Sequence, residues 1–298
     1  VEIKLGEKSM QHCEATFKGA GGLTLYYQSW HPTAPAKAVL GMVHGLGSHS
    51  GLFSNIVQVL VPQGYAVYGF DLRGHGRSPG QRGYINRWLE FRQDLDSFWQ
   101  LISSQNQALP CFVLGHSLGA IITLDYALYY PKNLAGIITM APALDPVGVS
   151  PVKLKIGRIL SRTVPRFTLN TGIPQNAGSR DTSIVAAYTN DPLRHTKGTA
   201  RLVTEFLQAT QWIESHLDVL QIPVLILHGT ADPVALPAGS RRLFEHIQLM
   251  DKEHREYAGA FHDLHNEINA PIVTRDITNW LDRQVNQEYL CCQLSLLT

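Results

Sequence analysis

Short, unbroken apolar runs alternate along this chain with longer stretches in which apolar residues recur every three or four positions. AVLGMVH, YAVYGFD, CFVLG, LAGIITMAP and IPVLILHG are of strand length and apolar at successive positions, the pattern of strands buried on both faces. Helical spacing is predicted over Gly51 to Pro62. It recurs over Arg87 to Ser104, where Leu89, Phe91, Leu95, Phe98, Trp99 and Ile102 share a face, and over Leu118 to Tyr130. Ala238 to Ile247 and Pro271 to Val285 complete the helices, the last with proline at its start. Ahead of all these, ATFKG and LTLYYQSW read as an antiparallel pair joined by the glycine turn Gly19 to Gly22; KEHREYA reads as a polar strand near a sheet edge. Strand and helix in alternation predict an α/β fold, a mostly parallel central sheet with helices on both faces.

One segment breaks the rhythm. Between LAGIITMAP and IPVLILHG lie about eighty residues with no clear strand, more than an ordinary loop holds. The expectation is an inserted, mostly helical cap over 143–216, dividing the core into a first part, 1–142, and a second, 217–298. The stretch VKLKIGRILSRTVPRF in this insertion is amphipathic. Val152, Ile156, Ile159, Leu160, Val164 and Phe167 fall near one face, and Lys155, Arg158, Arg162 and Arg166 near another. It reads as a lid whose apolar side covers a pocket, or as a basic surface that makes transient contact with an anionic membrane; Pro165 limits its length.

Composition narrows the class. Of 298 residues 44% are hydrophobic and 16% charged, which suits a globular protein with a large core. With 25 basic and 24 acidic residues, no global charge favours nucleic acid. The four cysteines, Cys13, Cys111, Cys291 and Cys292, show neither zinc spacing nor a disulfide framework, so a reducing, cytoplasmic setting is the default. VEIKLGEKSM is charged from the outset and does not read as a signal peptide, and no apolar run approaches the length of a membrane span.

The candidate chemistry centres on GHSLG. Ser117 stands between a buried strand and a helix, flanked by Gly115 and Gly119, which leave room for a strained turn. The bland reading is a serine capping the helix. Three further features favour a nucleophile. The loop His44-Gly45-Leu46-Gly47 follows a strand and places backbone where an oxyanion would form, so the N–H groups of Leu46 and Leu118 are the expected oxyanion hole, with Gly45 supporting the turn. Asp232 in LHGTADPV follows a strand at its carboxyl end; Asp145 is the rival acid. His262 in AGAFHDLHNE follows the last strand, with His265 as local competitor. His44, His75 and His116 read as hydrogen-bonding scaffold, His228 as a satisfied core histidine, and Asp71 and Arg73 in FDLRGHGRS as braces between loops.

The chain order Ser, Asp, His, together with HGLGSHSGLF, FDLRGHGRSPGQRGYI, GHSLG, NDPL, HGTADPV and AFHDLHNE, resembles the α/β-hydrolase family. The particular resemblance is to its monoacylglycerol lipase and lysophospholipase group, which lies near the S33-type serine aminopeptidases. It implies a serine hydrolase cleaving carboxylic esters of lipids, monoacylglycerol to fatty acid and glycerol foremost. Ser117 is then the nucleophile, His262 the general base and acid, and Asp232 the residue that orients the histidine. Neither metal nor organic cofactor is implied, and the partner is a small lipid ester. A serine aminopeptidase or small-ester carboxylesterase is the alternative in chemistry. A non-catalytic ligand-binding protein of the same fold is the alternative in class.

Overall fold

A computed structural model describes residues 10–107, 109–144 and 151–295, the side chains of 151–154, 175 and 288–295 excepted. Its first sheet strands are β1 (Gln11–Lys18), β2 (Thr24–His31), β3 (Ala38–Val43), β4 (Tyr65–Phe70), β5 (Cys111–His116) and β6 (Gly136–Met140). After the insertion come β9 (Val224–Gly229) and β10 (Lys252–Tyr257). They form one eight-stranded sheet in the order β1-β2-β4-β3-β5-β6-β9-β10. Pairing is parallel from β4 to β10 and antiparallel where β2 meets β1 and β4. β10 is an edge strand, as its polar sequence predicts, and largely exposed β1 is the other edge.

Side-chain alternation divides the core between the two faces. On β3, Val39 and Val43 point to one side and Leu40 and Met42 to the other; on β5, Val113 opposes Phe112 and Leu114. The first face packs against α2 (Leu89–Gln105) and α3 (Leu118–Tyr129), through Phe98, Trp99 and Ile121, and against Leu243 of α7 (Pro237–His246). The second packs against α1 (Ser54–Leu60) and α8 (Ala270–Ser295), through Ile56, Leu60, Ile277 and Trp280. Backbone helix in α8 runs ten residues beyond Val285, through QEYLCCQLS, where no glycine or proline interrupts it. Side chains of the terminal cysteines, Cys291 and Cys292, lie outside the described residues.

Between β6 and β9 stand α4 (Pro151–Thr163), α5 (Thr182–Asn190) and α6 (Ala200–Glu214). Two short strands, β7 (Thr168–Asn170) and β8 (Lys197–Thr199), pair antiparallel there, which corrects the expectation of an insertion without strands. Three residues each, paired across about thirty positions, are too short to leave a period-two pattern. The ribbon is tied to the core: Thr199 Oγ1–H donates to the Gly83 carbonyl at 2.9 Å, and Gln81 Nε2–H to the Arg166 carbonyl at 2.6 Å. Among the described residues no helix is long and apolar enough to cross a membrane.

Candidate active site

The turn from β5 into α3 is the strained point that GHSLG predicts. Ser117 has φ 54° and ψ −117°, a conformation costing a residue with a Cβ about 1–3 kcal/mol. Its N–H donates to the Met140 carbonyl at 2.9 Å, which pins the turn to the neighbouring strand. A Cβ on Gly115 would run into the Gly119 carbonyl and the Thr123 hydroxyl; one on Gly119 would run into the carbonyls of Val43 and His44. A Cβ on Gly45 would stand 2.9 Å from that of Ser117. The serine side chain makes no capping hydrogen bond to α3, so the bland reading fails.

The hydroxyl is instead engaged with a base. Ser117 Oγ–H donates to His262 Nε2 at 2.8 Å, and His262 Nδ1–H donates to Asp232 Oδ2 at 2.7 Å. All three residues are buried, His262 being 6% exposed. The other Asp232 oxygen accepts from the N–H groups of Val234 and Ala235 at 2.8 and 3.0 Å. Burial pushes the Asp232 carboxyl up, but the His262 charge and hydrogen bonds from His228, His262 and Ala235 outweigh it and hold it well below the usual range. For His262 burial works against protonation, and attraction to Asp232, with its hydrogen bond, overcomes it; the imidazole is raised above its ordinary value. His228, which the sequence reads as a satisfied core histidine, buttresses the acid. Its Nε2 lies 3.1 Å from Asp232 Oδ2 and 3.0 Å from the Ala235 carbonyl, and its Nδ1 lies 2.5 Å from Ser240 Oγ.

Two N–H groups beside this turn have no protein acceptor among the described residues: that of Leu118, the first residue of α3, and that of Leu46, next to Gly45. The peptide that carries the Leu46 N–H is oriented from its other end. His44 Nε2 accepts from the Leu72 N–H at 3.0 Å, so its Nδ1 carries the proton and donates to the Gly45 carbonyl at 2.8 Å. The peptide is planar, so anchoring that carbonyl turns the Leu46 N–H the opposite way. Burial lowers the His44 imidazole to about 3, which keeps it neutral in this role.

The remaining sequence candidates take supporting positions. His116 Nε2 lies 3.2 Å from the His262 carbonyl and 3.3 Å from Asp263 Oδ1. His265 is buried against Phe53 and His116, with ring centroids 4.9 Å apart in both contacts, and does not meet Ser117. His75 Nδ1–H donates to the Arg73 carbonyl at 3.0 Å. Asp71 accepts from Ser50 N–H, Ser50 Oγ–H and Arg77 N–H, and Arg73 forks onto Asp94 at 2.6 and 2.7 Å, so both brace loops as expected. Asp145 lies outside the described residues.

Sequence reasoning missed the ties between the insertion and the two loops of the site. The His195 N–H donates to the Gly47 carbonyl at 3.1 Å, and His49 Nε2 lies 2.7 Å from Asp191 Oδ2. On the histidine loop, Glu267 accepts from the Arg180 N–H and side chain and from the N–H groups of Phe261 and Ile268. Ser179 Oγ–H donates to the Asn266 carbonyl at 2.9 Å. The one signal in the sequence was the matching piece NDPL, which contains Asp191. One metal-capable trio occurs among the described residues, His116, His262 and Asp263, with ligand atoms within 4.8 Å of one another. Both His262 nitrogens are already engaged by Ser117 and Asp232, so the trio belongs to the hydrogen-bonded network.

A serine on a strained strand-to-helix turn, joined through a histidine to an acid in the loop after a later strand of an eight-stranded, mostly parallel sheet, defines an α/β hydrolase. The chain belongs to the hydrolase family described as serine aminopeptidase, S33, whose model matches residues 34–269. Within it the chain falls in the monoacylglycerol lipase-like group. It is 31% identical to the monoacylglycerol lipase of Mycolicibacterium smegmatis over 92% of this chain and 98% of that protein. Identity to the human monoglyceride lipase is 30%, over 90% and 88%. Among solved structures, the monoacylglycerol lipase of Paleococcus ferrophilus superposes with a TM-score of 0.81 at 31% identity, covering 87% of this chain and 99% of that one.

Proposed function

We propose that this chain is a serine ester hydrolase that cleaves fatty-acyl esters of the monoacylglycerol and lysophospholipid kind, through an acyl-enzyme on Ser117. The observation that carries the reading is the unbroken relay from Ser117 Oγ through His262 to Asp232, at 2.8 and 2.7 Å, beside two N–H groups without acceptors. In this mechanism His262 Nε2 takes the serine proton as Oγ attacks the ester carbonyl, and Asp232 stabilises the imidazolium. The N–H groups of Leu46 and Leu118 receive the oxyanion, each worth about 3 kcal/mol in the barrier. The tetrahedral adduct collapses, and His262 returns the proton to the departing alcohol. Water then enters, gives its proton to His262, and releases the fatty acid by the same steps in reverse.

Residues 143–216 serve in this reading as the cap that selects substrate. Ile156, Ile159, Val164 and Phe167 are exposed there beside Lys155, Arg158, Arg162 and Arg166; Ile159 keeps 56% and Phe167 54% of its surface accessible. So much apolar surface ringed by cations supports contact between the cap and an anionic membrane, from which lipid would be drawn.

Fluorophosphonate labelling tests the nucleophile. Wild type is expected to label at Ser117 and to hydrolyse monoacylglycerols, and Ser117→Ala to lose both while keeping its fold by circular dichroism. Turnover that survives in Ser117→Ala removes this mechanism. Preferential cleavage of aminoacyl amides over monoacylglycerols and lysophospholipids would assign the peptidase chemistry instead.

A further inference from the structure

Most arginines in the body of this protein are spent on carboxylates: Arg73 on Asp94, Arg92 on Asp125, Arg180 on Glu267 and Arg241 on Glu256. Arg194 is not. Its guanidinium lies 3.9 Å over the Tyr188 ring, and its Nε is buried with no hydrogen-bond partner among the described residues. Stacking on Tyr188 holds the plane of the group, and the buried Nε–H without a partner among the described residues leaves a donor of the guanidinium unspent, the kind of group that arginine offers to a planar or tetrahedral oxyanion.

The place of this side chain gives it meaning. Arg194 lines a cavity of about 220 Å³ together with Leu46, Thr171, Tyr188, Asp191 and His195. Leu46 carries one of the two N–H groups assigned to the oxyanion, and the His195 N–H holds the carbonyl of the adjoining Gly47. The cavity and the oxyanion loop therefore share a wall. Polar groups outnumber the apolar Leu46, Ile173 and Pro174 in this lining, which suits the polar half of an ester better than its acyl chain. Asp191 does not neutralise the guanidinium by contact: its oxygens are taken by His49 at 2.7 Å and the Leu193 N–H at 2.8 Å. The carboxylates of Asp191 and Asp263 act on the guanidinium through space, without contact, and a neutral glycerol would add no charge to it, whereas a phosphate monoester brings close to two negative charges and several acceptor oxygens.

We propose that this cavity receives the alcohol half of the ester and that Arg194 makes it selective for alcohols bearing a phosphate. The inference rests on the ester-hydrolase reading and adds a specificity determinant to it. Its test compares two esters of the same acyl chain, a monoacylglycerol and its 3-phosphate, in wild type, Arg194→Gln and Arg194→Lys. Wild type is expected to favour the phosphate ester in kcat/KM. Arg194→Gln should lower the ratio of phosphate to neutral ester about tenfold or more, and Arg194→Lys should keep part of it. A second measurement is independent of turnover. Glycerol 3-phosphate should bind Ser117→Ala by calorimetry and lose that binding when Arg194→Gln is added. A wild-type preference for the neutral ester, or a ratio unmoved by Arg194→Gln, overturns the proposal. Arg194-dependent binding of glycerol 3-phosphate in a protein that hydrolyses neither ester would keep the subsite and remove the hydrolase reading.

Discussion

His262 sits between two oxygens with opposite requirements. Asp232 favours its protonated form, and the proposed mechanism needs it neutral to accept the Ser117 proton. Its folded pKa is raised, so the stabilisation it draws from Asp232 is complete below the unfolded value and is lost as pH climbs through the folded one. Activity runs the other way, because the base form appears only above that folded value. The acid limb of kcat/KM against pH is therefore expected to have its midpoint above the roughly 6.5 of an ordinary imidazole. Asp232, held low, stays ionised across that limb. A midpoint below 6 in a pH profile of ester hydrolysis would contradict the Asp232 attraction. The three relay residues were legible because each follows the carboxyl end of a strand, apolar for Ser117 and Asp232 and polar for His262, where the pattern of the chain points to them. His228 was legible as a satisfied core histidine but not as a buttress of the acid, and Asp263 and Glu267 were not legible, because their partners His116 and Arg180 lie on segments distant in sequence.

Among the elements, the parallel strands and their helices follow directly from apolar runs and helical spacing, since each element buries what its own sequence makes apolar. The β7–β8 ribbon had no such signature, being fixed by pairing and by Gln81 and Thr199 rather than by burial. The loop carrying His262 likewise depends on a residue beyond it. Glu267 is 4% exposed, and its carboxylate gathers the Arg180 guanidinium and three backbone N–H groups. Burial alone would raise its pKa, but Arg180 and those N–H groups bring it below the ordinary value; the contribution is present above the unfolded pKa and lost as pH falls through the folded one. Glu267→Ala is expected to cost about 3 kcal/mol in urea denaturation at neutral pH, because it orphans donors that folding has buried. The Phe261 N–H adjoins His262, so kcat should fall further than KM rises. A loss below about 1 kcal/mol would mean the loop is held elsewhere.

At the scale of the whole molecule, the exposed apolar residues of α4 and the turn after it stand apart from the catalytic relay in their effect. Ile159 is on the outer surface, so Ile159→Glu should leave the fold intact and weaken sedimentation with anionic phosphatidylserine-containing vesicles by about tenfold, the transfer cost of one large apolar side chain. Unchanged partitioning would assign that surface a role other than membrane contact. Sequence reading reached the helical character of the segment between β6 and β9 but not its attachment, since hydrogen bonds between Ser179 and Asn266 or His195 and Gly47 leave no periodic trace.

That attachment restricts how such an enzyme can change. The inserted segment grips both the Gly47 carbonyl, next to the proposed oxyanion donor, and the loop bearing the imidazole, through Arg180 and Glu267. A segment transplanted from a relative to alter selectivity would have to bring matching grips at both places. Without them the sheet would still assemble, yet the two halves of the reaction centre would lose registration together, so new specificity here is confined to positions between the grips.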